Sequence, residues 1–196
     1  MLDLDSLPAF CRARVVILGV GNLLFGDDGF GPEVAQRLAA DYDIPDDVYV
    51  MDVGTGARKL LFTITLSDTR PQELVIVDAV DWGQEIGRVA AVPVEALPIH
   101  KIDDFSLHQV PTSNMLRELQ ERCGVKVTVI ACDVGPIMQE MRAGLSPQVS
   151  EAVSAACQQI AGRFQLPRLQ VSTDLDRMPA APSATHRSNS TMSSHL

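Results

Sequence analysis

Three continuous apolar runs constrain the fold of this chain more than any other feature. They are "RVVILGV" at 14–20, "ELVIVDAV" at 73–80 and "VKVTVIAC" at 125–132. Apolar runs of this length without polar alternation are typical of strands that are covered on both faces, as in a parallel sheet. "VYVMDVG" at 48–54 predicts a further strand. "RVAAVPVEAL" at 88–97 predicts an extended segment at a sheet edge, because Pro93 cannot donate to a ladder of hydrogen bonds.

Helical patterns lie between these strands. Apolar residues recur at helical spacing in 30–40, 56–65 and 112–122. Ser146 and Pro147 suit the first positions of a last helix, and its apolar stripe follows at Val149, Ala152, Val153, Ala156 and Ile160. The alternation predicts an α/β fold, a three-layer αβα sandwich around a twisted, mostly parallel sheet of about five strands.

The chain of 196 residues has the length of one ordinary domain. We divide it into an N-terminal arm at 1–13, a folded domain at 14–166 and a C-terminal tail at 167–196. The tail is rich in Ser, Thr, Pro and Ala and poor in large apolar residues, so it is predicted to be disordered. His186 and His195 fall in that tail and are not candidates for chemistry.

Composition narrows the possible partners. The formal net charge is −9 and the pI is near 4.8, which argues against nucleic acid and anionic lipid as partners. No apolar run has the length of a membrane-spanning helix, and the N-terminus does not resemble a signal peptide. Four cysteines lack CxxC spacing and are interpreted as reduced thiols of a cytoplasmic protein.

The loop "GVGNLLFGDDGFGP" after the first strand carries two of the three glycines of a dinucleotide-binding G-x-G-x-x-G motif. Leu24 stands at the third position, and Asp27 and Asp28 follow. Two carboxylates at this place repel a pyrophosphate, so a nucleotide site remains only as an alternative. The acids suit either capping of the next helix or binding of a cation.

Other strand ends carry comparable residues. Asp78 ends a central apolar run, and Asp52 is followed by Gly54, Thr55 and Gly56 in a turn predicted to approach a ligand closely. In open parallel sheets, ligands bind beyond the carboxyl ends of the strands. His100 and His108 lie in the loop before the third helix. Carboxylates with one histidine form a donor set for a borderline ion such as nickel or zinc.

Together these motifs resemble the endopeptidases that mature nickel–iron hydrogenases. The resemblance rests on "GVGNLLFGDDGFGPEV", "DVGTGA", "LVIVDAV", "SLHQVPTSNML" and "GLSPQVSEAV", which occur in the family's order over residues 14–164. The wording of "LLFGDDGFGP" and "GTGARKLLFTIT" is most similar to the branch that serves deazaflavin-reducing and related multisubunit hydrogenases.

The resemblance implies an aspartic-type endopeptidase that removes a short C-terminal extension from the nickel-loaded precursor of a hydrogenase large subunit. It implies that nickel, supplied by the precursor, is the recognition element and is contacted by Asp28, Asp78 and His108. Asp28 and Asp78 are the expected catalytic residues. We expect substrate contacts at Asp27, Asp52, Gly54, Thr55 and Gly56, and a monomer or weak oligomer. Alternatives are a nickel-binding chaperone without proteolysis, a nucleotide-binding Rossmann-like enzyme and an ordinary metallohydrolase.

Overall fold

The computed structural model describes residues 7–96, 112–136 and 140–169. Its strands are β1 (Val15–Val20), β2 (Val48–Gly54), β3 (Glu73–Val80), β4 (Val89–Pro93) and β5 (Lys126–Asp133). They form one sheet in the order β2-β1-β3-β5-β4. All neighbouring pairs are parallel except β4, which runs antiparallel to β5 at the edge. The predicted sheet is confirmed, including the edge position of Pro93.

Helices cover both faces of this sheet. They are α1 (Ala9–Arg12), α2 (Phe30–Asp41), α3 (Ala57–Leu66), α4 (Thr112–Glu121) and α5 (Pro147–Phe164), with 3-10 turns at Gly26–Gly29 and Val94–Ala96. One core lies between the sheet and α2 and α5, and the other lies between the sheet and α1, α3 and α4. Successive residues of β1 alternate between the two cores, so the strand is buried on both faces. The three-layer sandwich is therefore confirmed.

The start of α2 lies against the ends of β1 and β3. A Cβ atom on Gly31 would lie 2.2 Å from the carbonyl oxygen of Val20 and 2.3 Å from that of Val77. A Cβ on Gly19 would lie 2.2 Å from the carbonyl oxygen of Gly31. Only glycine at both positions permits this approach, which holds the segment before α2 beside the end of β3.

The last helix begins as predicted, with Ser146 at the N-cap and Pro147 in the first turn, although no side chain caps it there. Its predicted apolar stripe is buried throughout, which confirms the helical spacing. After α5, Leu166 is buried, and the N–H of Leu169 donates to the carbonyl of Asp41. The domain limits at 13 and 166 stay predictions, and residues 170–196 lie outside the described ranges.

Candidate active site

The fold brings Asp28 and Asp78 together at the carboxyl edge of the sheet. Asp78 lies near the end of β3, opposite Ala131 of β5. Asp28 lies in the 3-10 turn Gly26–Gly29, between β1 and α2. The two carboxylates are close enough to repel each other electrostatically. Residues 50 positions apart therefore meet where a parallel sheet places its ligands.

Asp78 is an almost completely buried carboxylate, with 5% of its surface exposed. Burial raises its pKa well above the usual value, and the negative charge of Asp28 raises it further. The N–H of Ala79 donates to its Oδ1 at 2.9 Å and opposes that rise. Burial of an ionised carboxylate costs free energy. Asp78 is therefore expected either to be protonated or to be paired with a cation.

Asp28 is less buried, and its loop closes upon it. Burial raises its pKa, while a hydrogen bond from the backbone N–H of Asn22 lowers it. The same N–H lies 3.3 Å from the backbone carbonyl of Asp28. Gly21 has a φ of +135°, and a Cβ there would lie 1.9 Å from that carbonyl. The second glycine of the motif thus lets the loop fold back over Asp28.

Asp27 has a different partner from its neighbour. Its Oδ1 accepts the backbone N–H of Ser146 at 2.5 Å. The start of α2 has no side-chain cap, so the expectation that an acid caps this helix is wrong. The carboxylate instead satisfies an N–H at the beginning of α5, 119 positions away, and joins that helix to the active-site loop.

A small cavity of about 80 Å³ opens beside Asp28. Its polar lining consists of Asp27, Asp28 and Arg142, and Phe25, Val134 and Pro136 supply apolar surface. Arg142 is held there by its backbone, since its N–H donates to Leu24 and its carbonyl accepts from Gly26. The cavity therefore combines acids, one base and apolar walls beside the carboxyl end of β3.

The predicted turn at Asp52 lies beside this loop. Asp52 accepts the N–H of Gly54 and the side-chain amide of Gln36, both at 2.9 Å. Gly54 has a φ of +49°, and its carbonyl accepts the N–H of Gly21 at 3.1 Å. Thr55 is exposed, and the following N–H, of Gly56, closes the turn onto Val53. This turn therefore supports the first loop, and its predicted contact with substrate stays a prediction.

The predicted third ligand cannot be placed. His108, like His100, lies outside the described residues. Within 7–96, 112–136 and 140–169 there is no group of three His, Cys, Asp or Glu residues that could hold a metal. Contact of a metal with Asp28, Asp78 and His108 therefore stays a prediction.

One buried acid was missed from the sequence. Asp133, at the end of β5, is fully buried. Its carboxylate accepts the N–H groups of Gln84 at 2.7 Å and Gly135 at 3.0 Å. It thereby shapes the loop that leads to the cavity wall at Val134 and Pro136. The signal was an acid ending the run "VTVIACD", as Asp78 ends its own strand.

The four cysteines are all unpaired, as expected for reduced thiols. Burial, followed by the charges of Asp133 and Asp27, raises the pKa of Cys132 to about 12. Such a thiol is not a nucleophile at neutral pH. Cys132 is therefore not a candidate nucleophile of this site.

Comparison with known proteins decides what class of protein carries this site. Residues 32–163 match the HycI family of hydrogenase maturation proteases. The chain belongs to the hydrogenase maturation protease family. A putative hydrogenase maturation protease of Methanocaldococcus jannaschii is 37% identical over 155 residues, which cover 79% of this chain and 98% of the relative.

Other relatives agree with this membership. The delta subunit of a coenzyme F420 hydrogenase from Methanothermobacter thermautotrophicus is 34% identical, over 76% of this chain and 92% of the relative, in line with the predicted branch. The crystal structure of the [NiFe] hydrogenase maturation protease HycI from Thermococcus kodakarensis matches with a TM-score of 0.63 and 28% identity, over 78% of this chain and 93% of that one. The predicted family and fold are confirmed.

Membership in this family makes the chain a peptidase of hydrogenase maturation, and the carboxylate pair is its candidate active site. No helix in the described part of the maturation protease is long and apolar enough to cross a membrane.

Proposed function

We propose that this protein is an aspartic-type endopeptidase that removes a short C-terminal extension from the nickel-loaded precursor of a nickel–iron hydrogenase large subunit. The observation that carries the proposal is the pair of electrostatically interacting carboxylates, Asp28 and Asp78, from two separate elements. Family membership supplies the class of substrate.

The electrostatics of the pair favour a cation. Burial raises the pKa of the almost wholly buried Asp78, and the negative charge of Asp28 raises it further, so both effects oppose the ionisation of Asp78. A cation between them removes that penalty and keeps both oxygens available as donors. We assign this cation to the nickel of the precursor, with Asp28, Asp78 and His108 as the residues that contact it.

Three protein donors leave coordination positions for the precursor's own ligands. The contact set is then complete only when a loaded precursor docks, so nickel acts as a checkpoint before cleavage. Asp28 is the better-placed residue to orient and deprotonate the attacking water, because it lines the cavity while Asp78 is buried. Asp27, Asp52, Gly54, Thr55 and Gly56 are proposed to border the bound peptide.

The local geometry disfavours the nucleotide-binding alternative. The helix that follows the glycine loop is preceded by Asp27 and Asp28, and both carboxylates lie at the cavity a phosphate would need. The loop also folds back so that the carbonyl of Asp28 occupies the space beside Gly21. We propose a cytoplasmic location for the reaction, consistent with the four unpaired thiols.

Intact-mass measurement tests the proposal. Nickel-loaded and nickel-free precursors are each incubated with the unmodified protein and with the Asp28→Asn and His108→Ala variants. We expect a short C-terminal peptide to be lost only from the loaded precursor, and to be lost with the unmodified protein but not with the Asp28→Asn and His108→Ala variants. Asp47→Asn is the matched control, because Asp47 is an exposed acid that pairs with Arg14 at the opposite edge of the sheet.

Each alternative outcome has its own meaning. Equal cleavage of nickel-free precursor contradicts the checkpoint role of nickel. Binding of loaded precursor without any change in mass supports a chaperone instead of a peptidase. Full activity of Asp28→Asn contradicts the assignment of the site itself.

A further inference from the structure

Several exposed apolar side chains lie on the loops that adjoin the candidate active-site cavity. Seven large apolar side chains in the described ranges are strongly exposed. Two of them, Phe62 and Leu66, lie on α3, and Leu169 follows α5. The other four lie on segments that adjoin the cavity beside Asp28 and are here named the apolar rim: Leu23, Leu24, Ile86 and Met141, which are 42%, 54%, 47% and 73% exposed.

Backbone contacts fix two members of the apolar rim beside the cavity. Leu24 accepts a hydrogen bond from the N–H of Arg142 at 2.9 Å, which places Met141 next to it. The next residue, Phe25, forms a parallel bridge with Arg142. Both Phe25 and Arg142 line the cavity, and Leu24 and Met141 directly precede them in the chain.

The other two members contact segments that contain or adjoin lining residues of the same cavity. Leu23 lies against the segment that carries the catalytic acid, since a Cβ on Gly29 would be 3.2 Å from it. A Cβ on Gly135 would lie 3.7 Å from the side chain of Ile86. Gly135 stands in sequence between Val134 and Pro136, which both line the cavity. The apolar rim is therefore assembled from three separate loops, at 23–24, 86 and 141.

We propose that the apolar rim is the docking surface for the extended precursor segment on either side of the scissile bond, and that it recognises apolar side chains there. This inference rests on the proposed function. A peptide bond within reach of Asp28 belongs to a chain that advances about 3.3 Å per residue. Its neighbours must then pass over the rim that surrounds the cavity.

The chemistry of the rim identifies the occupant. Exposed apolar clusters with a few polar groups at their centre mark binding surfaces. The polar centre here is the acid pair with Arg142, and the surround is aliphatic and thioether surface. An extended segment with apolar residues beside its cleavage point matches this arrangement, since burial of its side chains removes both surfaces from water.

Steady-state cleavage of nickel-loaded precursor tests the inference. The variants are Leu24→Ser and Met141→Ser, and the matched control is Leu66→Ser, which changes a side chain that is 67% exposed on α3. We expect KM to rise about tenfold in the rim variants, with kcat changed less than about twofold, and no change in the control. Leu24→Met should keep the KM of the unmodified protein, in contrast to Leu24→Ser, because methionine retains an apolar side chain of similar volume.

The outcomes separate this inference from the proposed function. Failure of the unmodified protein to cleave any loaded precursor contradicts the proposed function. Cleavage by the unmodified protein together with an unchanged KM in both rim variants contradicts the docking surface alone. A rim variant that alters sedimentation of the free protein, with KM unchanged, assigns the rim to self-association and also overturns the inference.

Discussion

The close approach of α2 to the sheet makes Gly31→Ala a sharp test of how the acids are held. Ordinary nonbonded contacts lie at about 3.5 Å, whereas the added Cβ would lie 2.2 Å and 2.3 Å from carbonyl oxygens of β1 and β3. The overlap exceeds about 1 Å and involves backbone atoms, which have no rotamer to escape into. Overpacking of this kind costs about 3 kcal/mol, and the better helix propensity of alanine returns about 1 kcal/mol.

The net loss of about 2 kcal/mol corresponds to a Tm about 4–8 °C lower in a protein of this length. If the protein folds, the overlap is relieved when the start of α2 moves away from the end of β3. Asp28 lies three residues before Gly31, and Val77 directly precedes Asp78. The movement therefore separates the two acids by about 1 Å, and a displacement of that size costs about 100-fold in rate.

Gly162→Ala is the matched control. Gly162 lies within α5 and has no atom within 4 Å of the position a Cβ would take. Here the helix propensity acts alone, and the free energy of unfolding should rise by about 0.5–1 kcal/mol. Thermal unfolding and precursor cleavage are measured on both variants. An unchanged Tm and unchanged cleavage rate in Gly31→Ala would refute the close approach and its role in placing Asp28.

Three further predictions concern individual side chains, and their stability and labelling measurements use the protein without nickel. Asp78→Asn should abolish cleavage yet stabilise the fold at pH 7. Because the pKa of Asp78 is raised in the folded state, the folded state binds more protons than the unfolded state. The unmodified protein therefore loses stability as the pH rises above about 4, and the variant does not. This gain in stability should be present at pH 7 and vanish near pH 4 in chemical denaturation, where Asp78 is protonated in both states; equal effects of the substitution at both pH values contradict the burial of the charge. Asp27→Ala should cost about 1 kcal/mol because the N–H of Ser146 loses its acceptor, whereas Asp27→Asn keeps an acceptor oxygen and should cost less; identical denaturation midpoints for the two would count against this bond. Cys132 should resist iodoacetamide at pH 8, since burial and then Asp133 raise its thiol pKa to about 12, and mass spectrometry that finds it labelled before unfolding would refute that environment.

Several features of the chain could be predicted from local pattern alone. Apolar runs without alternation predict strands that are buried on both faces. The spacing of the apolar residues in α5 predicts its buried stripe. Pro93 predicts a sheet edge because the proline nitrogen cannot donate a hydrogen bond to a neighbouring strand. Each of these follows from properties of neighbouring residues, so sequence order was sufficient to reach the fold and, with the motifs, the family.

Other features depend on residues far apart in the chain. Nothing near Asp27 indicates that its carboxylate accepts an N–H from Ser146, or that the charge of the neighbouring Asp28 acts on Asp78. The apolar rim is likewise composed of loops that are distant in sequence. From the local sequence, Asp133 is predicted only to end a strand. In the structure its carboxylate accepts a hydrogen bond from a backbone N–H some 50 positions away.

The sequence by itself therefore determined the layers, the strand ends and the kinds of side chain placed at those ends, because periodicity and residue type are local properties. Only the tertiary structure decided which acid meets which partner, how deeply each is buried and which way its pKa moves. Those quantities depend on desolvation and charge distance, and both arise only when separate segments pack together.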